Sequence, residues 1–66
     1  MQIVLNGEAA DIEDGVTISD LLNSLGVEGQ RLAVEVNQEV IPRAEHISFI
    51  LSAQDTVEII HAVGGG

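Results

Sequence analysis

Sixty-six residues carry eleven Asp and Glu against two Arg, a formal net charge of −9, with no Cys and one aromatic, Phe49. A chain this short buries only about 60% of the surface its unfolded form exposes. Without cysteine it has neither a disulfide nor a thiolate zinc site to staple it, so a regular apolar core must hold the fold. Two arginines cannot make the basic stripe that nucleic acid requires. No apolar run nears the ~20 residues of a membrane helix, and no signal-peptide pattern opens the chain, so the expected compartment is the cytoplasm.

Met1 to Leu5 is a β-rich run followed by Asn6-Gly7, the residue pair that best accommodates the two positive φ angles of a type I′ hairpin turn. The return strand, Glu8 to Ile12, is broken by Glu13-Asp14-Gly15. Ile18, Leu21, Leu22 and Leu25 then fall at i, i+3, i+4 and i+7, an apolar stripe at helical period. Thr17 is placed as N-cap with Asp20 three residues on, Val16 and Leu21 form a staple, and Gly26 supplies the left-handed stop. Leu32, Val34 and Val36 alternate as one face of a strand. Asn37-Gln38 is a tight turn, and Glu39 to Ile41 a short strand ended by Pro42. Ala44 to Ser52 reads as one loose helical turn, and Thr56 to Val63 as the last strand.

The order β-β-α-β-β-β has one helix, which can cover only one face of a sheet. The expected class is α+β: a β-grasp, ubiquitin-like mixed sheet with the opening hairpin and the terminal strand side by side in the centre. Residues 1–63 form the domain, and 64–66 a flexible glycine tail.

The residues offer no catalytic constellation. There is no Ser/His/Asp order, nucleophilic Cys, Walker motif or dinucleotide glycine pattern. His46 and His61 are too few and too far apart for a metal site, and read as surface or strand-edge residues. Glu8, Asp11, Glu13 and Asp14 miss the calcium-loop spacing and read as a solvated face near the helix start. An acidic surface keeps the chain soluble and speeds encounter with a basic partner.

The last strand runs straight into Gly64-Gly65-Gly66. Such a run is compatible with a frayed end. It also suits a tail that threads a narrow channel in a partner enzyme, because glycine has no Cβ to obstruct passage. The Gly66 carboxylate then reaches a bound nucleotide while the domain docks outside.

Val36 to Arg43, with its Asn-x-x-x-Ile-Pro-Arg element, the Asp55 to Ile60 strand and the Gly65-Gly66 end resemble the ThiS family of thiamine-biosynthesis sulfur carriers. The Met1 to Gly7 hairpin and the Val16 to Gly26 helix match in place, so the likeness covers essentially the whole chain. The resemblance implies a carrier and not an enzyme. A ThiF-like adenylyltransferase would use ATP and magnesium to adenylate Gly66. A persulfide from a cysteine desulfurase or rhodanese-like donor would convert it to a thiocarboxylate. That group would give its sulfur to a ThiG-like thiazole synthase. The chain itself would bind no cofactor, metal, nucleic acid or membrane, and would be monomeric when free. Alternatives are a molybdopterin synthase small subunit, a ubiquitin-like modifier and a non-covalent binding module. The first tends to carry Pro-Pro-Val-Ser before its glycines, where this chain has His61-Ala62-Val63-Gly64.

With no Lys and no Cys, only the N-terminal amine could capture an activated Gly66 in cis. Alternation puts Val4, Ala33, Ile60 and Ala62 on the open sheet face, an apolar patch rimmed by acid and the expected partner surface.

Overall fold

A computed structural model describes residues 1–27 and 31–61. Five strands form one sheet: β1 (Gln2–Leu5), β2 (Glu8–Asp11), β3 (Leu32–Val36), β4 (Glu39–Ile41) and β5 (Thr56–His61), in the order β2-β1-β5-β3-β4. β5 lies parallel to β1 and antiparallel to β3. The terminal strand thus takes the centre alone; the hairpin occupies one flank, with β2 at the edge. β2 ends at Asp11, one residue short of the expected Ile12. The Ala62-Val63 end proposed for the last strand lies outside the described residues.

The helix α1 (Ile18–Leu25) covers one face. Ile18, Leu21 and Leu22 meet Ile3, Val34, Val36, Ile41, Leu51 and Val57 in the buried core. Met1, Leu5, Leu32 and Ile59 pack around them, so alternate residues of the three inner strands face the helix. Leu25 departs from the stripe, 45% exposed at the last helical turn.

The start of α1 leaves no backbone donor unmatched. The Thr17 N–H donates to Asp20 Oδ2 at 3.0 Å, and the Asp20 N–H to Thr17 Oγ1 at 3.1 Å, a reciprocal capping box. The Ile18 and Ser19 N–H groups donate to the carbonyls of Phe49 and His46, both at 3.0 Å. The segment after β4 therefore caps the helix from outside, which the expected loose turn did not foresee. It opens with a 3-10 turn at Arg43–Glu45, bridges Ile50 to Thr17 and buries Leu51. At the other end Gly26, at φ 73, and Val27 donate to the Asn23 and Leu22 carbonyls in a Schellman arrangement. Thr17→Ala should cost about 1 kcal/mol, read as a lower urea midpoint by circular dichroism.

Both hairpin turns have positive φ at their two central residues, Asn6 (49) and Gly7 (84), then Asn37 (52) and Gln38 (71). Asn tolerates this region well because its short polar side chain can hydrogen-bond locally. Here both asparagines also reach across the sheet. Asn6 Oδ1 accepts the Ile59 N–H at 2.9 Å, and Asn37 Oδ1 accepts the Thr56 N–H at 2.9 Å. Asn37 Nδ2 donates to Asp55 Oδ1 at 3.0 Å. The two separate stretches that carry the family resemblance are one junction, closed around the start of β5.

Candidate functional site

The register of β5 decides where it delivers the end of the chain. Its pairs with β3 run from Val36↔Val57 to Leu32↔His61, and with β1 they include Val4↔Thr56 and Leu5↔Val57. β5 therefore ends at His61, paired with Leu32 of β3. Gly64, Gly65, Gly66 and Ala62, expected to form the reactive tail and part of the docking patch, lie outside the described residues.

The open face is less uniform than the expected apolar patch. Ala33 and Ile60 are direct cross-strand partners, both exposed, Ile60 at 45%. Val4 is half-buried and sits beside Thr56, four residues back along β5. That separation is about 13 Å of strand. Between them lie Glu35 and Glu58, again directly opposite one another. Val4 is therefore not contiguous with the Ala33–Ile60 pair, because alternation fixes the face of a residue but not its position along the strand. Next to that pair opens a groove of about 370 Å³ lined by Arg31, Leu32, Ala33, Arg43 and Ile60. Both arginines of an acidic chain thus converge where β5 hands over to the tail. Sequence reading missed this, since residues 31 and 43 approach only through the β3–β4 hairpin.

The opposite end of the sheet holds the amino terminus. The Met1 ammonium donates to the Ile12 carbonyl at 2.6 Å and pairs with Asp11 at 3.4 Å and Asp14 at 3.8 Å. Both carboxylates stay exposed, as expected of a solvated face, so these pairs add little stability. From the β1–β5 register, Met1 and His61 are about 26 Å apart along the strand axis. Five further residues extend at most about 18 Å. The Met1 amine, expected as the internal competitor, therefore lies beyond the span of five residues from His61.

The histidines divide. His61 is exposed at the end of β5. His46 is not the expected surface residue: it is 6% exposed, and its Nε2–H donates to the Ile41 carbonyl at 2.9 Å. A carbonyl only accepts, so the contact assigns that proton to Nε2. Its backbone carbonyl caps α1 and its ring bonds the end of β4, which makes it a structural residue. Among the described residues no three His, Asp or Glu gather as a metal site, and no helix is long and apolar enough to cross a membrane.

A mixed five-stranded sheet with one helix on one face and a central last strand leading into a glycine end defines a β-grasp domain of the ubiquitin-like class. The ThiS family model matches residues 3–66, and the chain belongs to the ThiS family. Its fold is close to the crystal structure of the thiamine biosynthesis protein ThiS from Geobacter metallireducens, with a TM-score of 0.87 at 28% identity over the whole of both chains. It is 41% identical to the sulfur carrier protein ThiS of Bacillus subtilis over 54 residues, 82% of either chain. It is also 39% identical over its full length to a thiazole synthase of Magnetococcus marinus. There the chain spans only 20% of the relative's own length.

Proposed function

We propose that the chain is a sulfur carrier for formation of the thiazole moiety of thiamine, acting in the cytoplasm as a co-substrate and not as a catalyst. The observation that carries this reading is the ThiS family match, which runs through the glycine end to residue 66. The thiazole synthases of Magnetococcus marinus and Paramagnetospirillum magneticum hold the matching region within their own chains, which favours a ThiG-like enzyme as the acceptor.

Chemistry then assigns the roles. A carboxylate is a poor electrophile. A ThiF-like adenylyltransferase lets a Gly66 oxygen attack the α-phosphorus of Mg-ATP; pyrophosphate leaves and an acyl-adenylate remains. The terminal sulfur of a protein persulfide, from a cysteine desulfurase or rhodanese-like donor, attacks the acyl carbon and expels AMP. A thiol cleaves the resulting S–S bond, leaving the thiocarboxylate that passes sulfur to thiazole synthase. Gly64 and Gly65 supply the side-chain-free backbone needed to enter each active site. The domain supplies recognition, and the absence of Lys and Cys keeps the activated carbonyl from internal capture.

ATP–pyrophosphate exchange by the purified adenylyltransferase tests the first step. Exchange should depend on this chain. Exchange that proceeds equally without it rules the assignment out.

A further inference from the structure

The two halves of the central strand β5 are held differently. Val57 is fully buried, whereas beyond it only Ile59 packs against the core; Glu58, Ile60 and His61 are exposed. The register with β1 stops at Leu5↔Val57, so the outgoing half has β3 alone as its strand neighbour. Few apolar contacts and exposed backbone bonds are the marks of a segment that opens locally. One side chain acts against this. The Val4 and Asn6 N–H groups donate to the Asp55 and Val57 carbonyls, both at 2.9 Å, a parallel ladder advancing by two residues. Its next rung would join the Ile59 N–H to the Asn6 backbone carbonyl. At Asn6 the chain turns into the hairpin, at φ 49, and the side-chain Oδ1 takes that place at 2.9 Å. Among the described residues this is the hydrogen bond that carries the β1 side of the ladder past Val57.

Resting on the carrier reading above, we propose that Asn6 is a positioning residue for activation of the chain end. Its bond to Ile59 keeps the outgoing half of β5 on the sheet, so that the chain leaves the domain from a fixed point at His61. Without that bond, residues 59–61 open in a large fraction of molecules. Each released residue lengthens the free chain by at most about 3.6 Å. It also adds conformational entropy that an enzyme binding the chain end must remove. The cost falls on binding and not on the chemical step, so it belongs in KM. Asn37 supplies the contrast. Its Oδ1 accepts the Thr56 N–H at 2.9 Å, but at the incoming end of the same strand, where opening does not reach His61.

The test measures adenylation kinetics of the parent chain and three variants with the ThiF-like adenylyltransferase, and amide hydrogen exchange of Ile59 by NMR on the free chains. Asn6→Gly removes the acceptor and keeps the turn, since Gly-Gly also suits positive φ at both positions. It should speed Ile59 exchange about three- to tenfold, the worth of one such bond. It should raise KM for the chain about threefold with kcat unchanged, because the binding-competent closed form becomes the minority. Asn6→Asp keeps an oxygen acceptor in the left-handed region. It should restore both values at salt high enough to screen the added charge. Asn37→Gly should lower the urea midpoint at least as much as Asn6→Gly and leave KM unchanged. An unchanged KM for Asn6→Gly, an equal rise from Asn37→Gly, or a rise without faster Ile59 exchange overturns the positioning role and leaves the carrier reading intact. A parent chain that supports no adenylation overturns both. Matching far-ultraviolet circular dichroism of all variants separates these outcomes from misfolding.

Discussion

Ile18→Ala should remove about 2–5 kcal/mol of stability, enough to leave much of the protein unfolded at room temperature. The side chain is fully buried at the first position of α1. Its backbone N–H is held by Phe49, so the helix cannot simply slide to fill the void. A single core of this size supplies only about 3–5 kcal/mol in total, and no disulfide is available to offset the loss. Urea unfolding followed by far-ultraviolet circular dichroism is the appropriate measurement, because the chain has neither Trp nor Tyr. Leu25→Ala is the internal control. Leu25 belongs to the same helical stripe but is 45% exposed, and its loss should stay within about 0.5 kcal/mol. Similar effects at the two positions would mean that the helix does not face the sheet as described.

Deletion of Gly65 and Gly66 should abolish adenylation and every later sulfur step without lowering the urea midpoint. The described core ends at Ile59, and the strand pairing of β5 extends only to His61. The midpoint should therefore not depend on the last two glycines. The variant should still bind the adenylyltransferase through the open face. It should compete with the parent chain for that enzyme, an outcome a merely unfolded variant could not give. Retained adenylation after the deletion would remove Gly66 as the reactive group.

The fold was legible wherever local chemistry and tertiary need coincide. Asn6-Gly7 sits in the turn its residues predict, and Thr17, Asp20 and Gly26 cap the helix they bound. Alternation put Leu32, Val34 and Val36 on one face, and that face is the one turned to the core. Periodicity failed at Leu25 because it reports a direction around the helix, not how far the opposing sheet extends. It failed on residues 44–52 because that segment is shaped by what it caps: the Phe49 and His46 carbonyls meet α1, and His46 turns inward with them. The site divided in the same way. Ala33 and Ile60 follow from alternation and do meet. Val4 shares their face without touching them, and the Arg31–Arg43 groove needs a strand register that no local pattern encodes.

The carrier reading requires sulfur at Gly66. Intact and fragment mass spectrometry tests it most directly, after incubation of the chain with Mg-ATP, the ThiF-like adenylyltransferase and a persulfide donor. A single oxygen should exchange for sulfur, confined to the C-terminal fragment and absent when ATP is omitted. An unchanged mass, a sulfur found elsewhere in the chain, or an isopeptide adduct on a lysine-bearing protein would contradict it.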